Sequence, residues 1–261
     1  MQKLHLIPDP LHIRETLALT ERYGARFEYN DFFNPKMLDD CEETARRIAF
    51  YKALPRDRSE DTLHGAFLDI TVHSDDPLIR DASMLRVRQS MDAAQKLGVK
   101  GVVFHTGLLS SFRVDYYTEN WLKRNEEFWR QILKEYPEQM IYLENMFDEE
   151  PDRMLKLAEL LKDEDRFGIC LDYAHAQIFG EAPEAWVEKL KPYIRHMHIN
   201  DNDGQNDLHL SVGSGVTDWA LYDKIMKEAG ISPDVLVETT DLERQEGSLK
   251  FMAEHRLYPF V

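Results

Sequence analysis

The sequence has few cysteines and no long apolar stretch. Two cysteines, Cys41 and Cys170, are too few for a disulfide framework, which favours a reducing compartment. No run of about 18 consecutive apolar residues occurs, so no membrane span is expected. The opening residues are interrupted by polar side chains and soon reach Pro8, unlike a signal peptide. These absences predict a cytoplasmic protein that does not associate with membranes.

Positive charge is also scarce. The 32 Lys and Arg residues face 48 Asp and Glu residues, which gives a formal net charge of −16. Such an excess of negative charge opposes nonspecific attraction to phosphate backbones, so nucleic acid is not the partner we expect. The composition is otherwise globular, with 43% hydrophobic and 31% charged residues. We expect residues 1–261 to form a single domain, because barrels of about 250 residues commonly do.

Short apolar runs recur along the chain and alternate with amphipathic stretches. Several runs, such as the one around Val235, are apolar without alternation, as strands covered on both faces must be. The eight predicted strands are Leu4–Ile7, Arg26–Tyr29, Thr62–His64, Gly101–His105, Met140–Glu144, Gly168–Asp172, Ile194–Ile199 and Val235–Glu238.

Helical periodicity appears between these runs. In the stretch before Gly98, the residues on one predicted face are Met84, Val87, Met91, Ala94 and Leu97. Gly98 is placed to end this helix, and a β-branched residue follows both Gly98 and Gly230. A doubly wound open sheet would give the same alternation. Eight strands in about 250 residues favour an α/β fold of the closed (β/α)8 TIM barrel type.

Ionisable residues close most of the predicted strands. In a barrel, catalytic groups lie at the carboxyl ends of strands and in the loops that follow, so these side chains are expected to converge. Within the seventh run, His196 and His198 are two apart and share one face of the strand. The nine candidate ligands are His64, His105, Glu144, Asp172, His175, His198, Asp207, His209 and Glu238.

A divalent metal centre accounts for this set better than a polar rim does. Carboxylates crowded together repel one another, and buried charge is costly without a partner. Mixed imidazole and carboxylate ligands suit Zn, Mn, Fe or Co better than Ca. Nine ligands exceed the need of one ion, so we expect one to three ions.

The motifs around these residues resemble those of the xylose isomerase-like TIM barrels, the group that includes sugar phosphate isomerases and epimerases and the endonuclease IV enzymes (AP endonuclease family 2). The resemblance spans about two-thirds of the chain. Its segments are Leu63-His64-Gly65-Ala66-Phe67, Val103-Phe104-His105-Thr106-Gly107, Tyr142-Leu143-Glu144-Asn145, Cys170-Leu171-Asp172-Tyr173-Ala174-His175, His196-Met197-His198-Ile199-Asn200-Asp201, Asp207-Leu208-His209 through Gly213-Ser214-Gly215, and Val237-Glu238.

The resemblance implies how the ligands divide among ions. The four residues that match the ligands of the central metal are Glu144, Asp172, His198 and Glu238. The endonuclease IV branch holds two further ions. For one of these the matching residues are His64, His105 and the bridging Glu144, and for the other they are His175, Asp207 and His209.

Two enzymatic reactions and one non-enzymatic role remain open. The first reaction is a metal-dependent isomerisation or epimerisation of a small sugar or sugar phosphate through an enediolate, with Glu144 and Glu238 as the acid–base pair and His175 on a substrate hydroxyl. The second is a multi-metal phosphodiesterase of the endonuclease IV type, cleaving DNA at abasic sites. A metal-binding barrel without activity is the third alternative.

The loops expected at the barrel mouth favour the small sugar over DNA. Acidic residues outnumber basic ones there, and an acidic rim repels a polyanion. These acidic residues are Asp31, Asp75, Asp76, Asp115, Asp148, Glu149, Glu150, Asp152, Asp201, Asp203 and Asp241. We expect Arg113 to bind a substrate phosphate and Phe67 to belong to an apolar wall for the substrate. Trp121, Phe128 and Trp129 lie in a polar helix and are assigned to the core, with an oligomer interface as the alternative.

Overall fold

The computed structural model describes residues 3–180 and 182–260. Eight strands follow one another in chain order around a closed parallel barrel, which confirms the predicted (β/α)8 TIM barrel. Each predicted strand is present, with its ends shifted by at most one residue. The strands are β1 Leu4–Leu6, β2 Arg26–Tyr29, β3 Thr62–His64, β4 Gly101–His105, β5 Met140–Glu144, β6 Phe167–Asp172, β7 Ile194–Ile199 and β8 Asp234–Val237.

Ten α-helices connect or follow the strands in the described residues. They are α1 Ile13–Tyr23, α2 Pro35–Asp39, α3 Cys41–Lys52, α4 Pro77–Leu97, α5 Asp115–Glu135, α6 Asp152–Leu160, α7 Tyr173–Phe179, α8 Pro183–Leu190, α9 Trp219–Ala229 and α10 Leu242–His255. The predicted ends at Gly98 and Gly230 are confirmed, because both glycines adopt the left-handed conformation, with φ of 75° and 64°. Within the described ranges, no helix has both the length and the apolarity that crossing a membrane requires.

The described residues fall into two compact units. The first unit contains residues up to 28, residues 145–151 and residues from 169 onward. The second unit contains residues 29–144 and 152–168. The single domain expected over residues 1–261 stays a prediction.

In the first unit, strand β8 pairs in parallel with both β1 and β7. Val235 lies beside Leu4 on one side and beside Met197 on the other, and all three side chains are buried. Apolar residues fill both faces of these strands because helices cover their outer face. The register also brings the ends of β6 and β7 together, since Asp172 is the neighbour of His198.

In the second unit, strands β3, β4 and β5 pair in parallel, and His105 is the register partner of Glu144. Helix α5 packs its aromatic residues inward. Trp121, Phe128 and Trp129 are all buried, and the ring of Trp129 lies 5.3 Å from that of Phe104. The assignment of these three residues to the core is therefore confirmed.

Candidate metal centres

Three ligand-type side chains end adjacent strands of the second unit. His64 ends β3, His105 ends β4 and Glu144 ends β5. The Nε2 atoms of His64 and His105 lie 3.3 and 3.1 Å from the same oxygen, Oε2 of Glu144. All three side chains are buried. The structure thus brings together the three residues that the resemblance assigns to one of the outer ions.

An aromatic wall stands beside these imidazoles. The ring of Phe67 lies 5.9 Å from that of His64 and 5.4 Å from that of His105. Phe33, from the segment that follows β2, packs edge-on against Phe67, with ring centroids 4.9 Å apart. Phe67 is half-buried, so part of its ring remains open to a substrate. Its role as a substrate wall stays a prediction.

The first unit contains a second group at the ends of β6, β7 and β8. Ligand atoms of Asp172, His198 and Glu238 lie within 4.8 Å of one another, and all three residues are buried. Within the group, His198 Nδ1 lies 3.3 Å from Glu238 Oε2. Glu238 itself lies one residue beyond β8. These are three of the four ligands that the resemblance assigns to the central metal.

The first unit also contains a third group, formed by His175, Asp207 and His209. The two Nε2 atoms lie 3.2 and 2.8 Å from a single oxygen, Oδ2 of Asp207. This repeats the arrangement around Glu144, with a carboxylate oxygen between two imidazoles. His175 lies in the first turn of α7, which follows β6, and its backbone N–H donates to the Asp172 carboxylate.

The charge state of the third group follows from these contacts. Burial opposes the charged form of His209, but the carboxylates of Glu238 and Asp207 outweigh it and raise its pKa to about 10. Burial likewise disfavours the Asp207 carboxylate, yet hydrogen bonds from His175 and His209 hold its pKa well below the usual range. The group therefore stabilises positive charge beside the carboxylate.

The donor set fits divalent metal ions. Hydrogen bonds to backbone carbonyls engage Nδ1 in three histidines: His64 bonds to Gly65 O, His175 to Asn145 O and His209 to Glu238 O, at 2.8 to 3.0 Å. Such bonds select the tautomer with the proton on Nδ1, which leaves the Nε2 lone pair facing a carboxylate oxygen. A lone pair and an anion repel each other unless a cation lies between them. A proton or a metal ion meets that need, and these N and O donors are ones that Zn, Mn, Fe or Co accept.

Sequence reasoning missed Glu28, which is fully buried in β2. Its Oε2 accepts a hydrogen bond from His196 Nε2 at 2.8 Å, and its Oε1 lies 3.0 Å from His198 Nε2. The signal that could have revealed it is a charged residue between Phe27 and Tyr29, two residues of a predicted strand that are expected to be buried.

Two residues of the predicted acidic rim are not at the surface. Asp148 is fully buried and accepts from Met146 N. Asp201 is also fully buried and accepts from Trp219 Nε1 and three backbone N–H groups. Placing these two in a solvent-exposed rim was therefore wrong, because loop carboxylates that satisfy backbone donors fold inward. The rim repels polyanions less than the sequence indicated.

The predicted phosphate-binding residue, Arg113, lies in the loop before α5 and is exposed. It is therefore accessible to a ligand, and its role in phosphate binding stays a prediction. The exposed carboxylates of the second unit include Asp69 and Asp75 on loops and Asp115, the first residue of α5.

Comparisons with known proteins give both a family and individual relatives. A family model described as xylose isomerase-like TIM barrel matches residues 27–255. The protein named probable endonuclease 4 of Mycobacterium leprae (strain Br4923) is 28% identical over 206 residues, which cover 74% of this chain and 77% of that protein.

Two solved structures share the fold. The TTHB071 protein from Thermus thermophilus, soaked with ZnCl2, superposes with a TM-score of 0.70 at 22% identity and covers 97% of both chains. A D-tagatose 3-epimerase-like protein gives a TM-score of 0.74 at 22% identity, covering 98% of this chain and 97% of that one. Together with the residues matched by the family model, these findings show that the chain belongs to the xylose isomerase-like TIM barrel family.

Proposed function

We propose that this protein is a multi-metal hydrolase that cleaves phosphodiesters, which was the alternative at the level of sequence. The observation that carries the proposal is the repeated bridge of two imidazoles on one carboxylate oxygen. It occurs at Glu144 with His64 and His105, and again at Asp207 with His175 and His209. A sugar epimerase that uses one ion has no need of either bridge.

The residues divide into three ligand groups on this proposal. The first is His64, His105 and Glu144. The second is Asp172, His198 and Glu238, to which the family resemblance adds Glu144 as a fourth ligand. The third is His175, Asp207 and His209. Divalent ions bound there would supply Lewis-acid activation of water and would neutralise charge on a phosphate.

Backbone carbonyls and buried side chains of the protein already orient the groups that this chemistry requires. The carbonyl partners of His64, His175 and His209 fix which ring nitrogen faces the carboxylates, so these donors need not reorganise on binding. The burial of Glu144 and Asp172 excludes water and strengthens their attraction for cations. Phe67 offers a ring face beside the first group, where a base or sugar would stack.

The similarity to a probable endonuclease 4 over three-quarters of each chain supports a phosphodiester substrate. That relative is named as a nuclease. In this chain, all nine positions that the resemblance assigns to metal ligands carry a histidine, an aspartate or a glutamate. We therefore propose a phosphodiester in a nucleic acid, with an abasic site as the first substrate to test. Our proposal for location remains the cytoplasm, because the sequence has only two cysteines.

Metal stoichiometry tests this proposal most directly. Elemental analysis of protein purified without chelator should give two or three ions per chain. The metal-loaded protein should then cleave bis(4-nitrophenyl) phosphate and a duplex that contains an abasic site. One ion per chain together with no cleavage of either phosphodiester would exclude the proposal.

The second candidate is the sugar or sugar-phosphate isomerase or epimerase that the sequence favoured. Exposed carboxylates of the second unit support it, since Asp69, Asp75 and Asp115 would repel a polyanion. Glu144 and Glu238 would then exchange a substrate proton, His175 would hold a hydroxyl and Arg113 a phosphate. This candidate requires solvent deuterium to enter a substrate C–H position in the presence of metal. A barrel that binds metal without activity would show neither exchange nor cleavage.

A further inference from the structure

Glu28 occupies an unusual place for a carboxylate. It lies in the middle of β2, has no exposed surface, and its two oxygens face two histidines of β7. Oε2 accepts a hydrogen bond from His196 at 2.8 Å, and Oε1 lies 3.0 Å from His198 Nε2. A buried charge is costly unless it is matched in this way, so the arrangement calls for an explanation.

Each oxygen of the Glu28 carboxylate lies within 3.0 Å of one imidazole nitrogen, Oε2 near His196 Nε2 and Oε1 near His198 Nε2. An ionised carboxylate only accepts hydrogen bonds. The imidazole nitrogens that face Glu28 must therefore carry protons.

This requirement determines the state of the second nitrogen of His198. With the proton on Nε2, a neutral His198 has its lone pair on Nδ1. That atom lies 3.3 Å from Glu238 Oε2 and belongs to the group formed with Asp172. Histidines that bind metals commonly donate their other N–H to a carboxylate, which orients the ring and strengthens the ligand.

His196 holds the carboxylate in place. Its bond to Oε2 leaves Oε1 directed at His198, and its ring packs edge-on against those of His198 and His5 at 5.3 and 5.2 Å. All three imidazoles are fully buried. Packing and hydrogen bonding together leave Glu28 little freedom to turn away.

We propose that Glu28 is the positioning residue of the central metal site, where it fixes His198 as an Nδ1 ligand. The inference rests on the proposed metal-dependent function and deepens it. It holds equally for a hydrolase or an epimerase, because both would use Asp172, His198 and Glu238. Glu28 does not touch the metal or the substrate, so its substitution should change metal affinity first.

The test is zinc binding by the Glu28→Gln variant, which removes the charge but keeps the volume. Chelator-stripped protein is titrated with Zn²⁺ in competition with a chromogenic chelator. We expect one zinc site to weaken roughly 10–100-fold while the total number of ions at saturation stays as in the wild type. A change of less than about threefold in every site would overturn the proposal.

A matched control separates this effect from the general cost of neutralising a buried carboxylate. Asp61 is also buried, and it accepts from Tyr29 and Arg56, neither of which is a proposed ligand. Asp61→Asn should lower the thermal stability of the stripped protein without weakening any zinc site. Equal losses of zinc affinity in both variants would overturn the positioning role.

Melting temperatures measured with and without zinc show whether a variant is folded and whether it still binds the metal. Zinc raises the melting temperature by an amount that grows with its affinity, so the zinc-induced shift is read separately from the stability of stripped protein. We expect Glu28→Gln to reduce the shift. If that variant does not fold, Glu28→Asp keeps the charge but withdraws it from His198, and the same threefold criterion applies. If the wild type binds no zinc, the proposed function fails, whereas normal zinc binding by both Glu28 variants refutes the positioning role alone.

Discussion

His209 Nε2 lies 2.8 Å from Oδ2 of Asp207, and it reaches this position from a residue with a positive φ of 46°. A histidine in the left-handed region is uncommon, and such strain persists only where the surrounding structure enforces it. Here the ring's other nitrogen bonds to the backbone carbonyl of Glu238 at 2.9 Å. This relationship separates the two candidate reactions, because only the hydrolase needs an ion at Asp207.

The His209→Ala variant should therefore lose one ion per chain and most phosphodiesterase activity. Without the second imidazole, Asp207 keeps only His175 as a partner, and an ion bound there would lose one of its three protein ligands. We expect at least about a 10–100-fold loss of cleavage rate, the range typical when support for a metal is removed. Elemental analysis and cleavage of bis(4-nitrophenyl) phosphate measure both effects.

The same variant tests the alternative reaction. If the protein is an epimerase, His209→Ala leaves proton exchange into the sugar within about threefold of the wild-type rate, since a peripheral ion takes no part. Unchanged cleavage of the phosphodiester by His209→Ala would contradict the proposed hydrolase.

The Glu144→Gln and Glu238→Gln variants should each lose turnover under either reaction. Glu144 is the shared partner of His64 and His105, and Glu238 faces His198. We expect each rate to fall by about 100-fold or more, as expected for loss of a ligand or an acid–base group. The exposed Glu138, which precedes β5, provides the control variant Glu138→Gln with wild-type activity. Activity retained in either ligand variant would exclude that residue from the reaction.

The sequence was sufficient to predict the strands and the ligand-type residues at their ends, for a simple physical reason. Parallel strands covered on both faces must be apolar throughout, so a histidine or carboxylate that ends such a run marks the carboxyl end of the barrel. Even the three-residue run Thr62–His64 forms a strand and places His64 against Glu144.

The directions in which loop carboxylates point could not be predicted in the same way. Asp148 and Asp201 follow strands just as some of the candidate ligands do, yet they turn inward to satisfy backbone N–H groups, including that of Met146. No periodicity exists in a loop to reveal which donors a carboxylate will meet. Glu28 escaped for a different reason, because its partners His196 and His198 are far away along the chain and only the barrel brings them near.

The ring of Phe104 explains why the residue after His64 is a glycine, Gly65. A Cβ atom at this position would overlap the ring of Phe104, which is itself packed against Trp129. Gly65→Ala should therefore destabilise the protein by about 1–3 kcal/mol, the usual cost of overpacking a core. The carbonyl of Gly65 also accepts the hydrogen bond from His64 Nδ1. A displacement of the Gly65 backbone in the variant should therefore weaken metal binding as well. Urea unfolding and zinc titration measure the two effects.

A matched substitution and a compensating one test this explanation. Gly247 lies in α10, where an added Cβ meets only Ser211 at 3.5 Å or more, so Gly247→Ala should be neutral or stabilising. Adding Phe104→Leu to Gly65→Ala should recover part of the lost stability. Equal behaviour of the two alanine variants would contradict steric overlap as the cause.

Acid should destabilise the protein through His73, which is buried between the loop after β3 and α5. Its Nε2 lies 3.1 Å from the Tyr117 hydroxyl, and its backbone carbonyl accepts from Asn120. Burial lowers the pKa of His73 to about 4 from an ordinary value of 6.5, and the nearby Asp75 only partly opposes this. The folded pKa is depressed, so the unfolded chain binds the extra proton first. Stability should therefore fall as the pH drops from about 6.5 to about 4.

The lowered pKa of His73 corresponds to a loss of about 3 kcal/mol in the free energy of unfolding as the pH falls. His73→Gln should lose about that much less stability than the wild type between pH 7 and pH 4, because glutamine can accept from Tyr117 but does not titrate. Urea unfolding of chelator-treated protein at both pH values measures the difference without a contribution from metal loss. His5, whose pKa burial also lowers to about 3, should leave residual pH dependence in the variant. Identical pH dependence in the two proteins would mean that His73 accepts its proton in the folded state without cost.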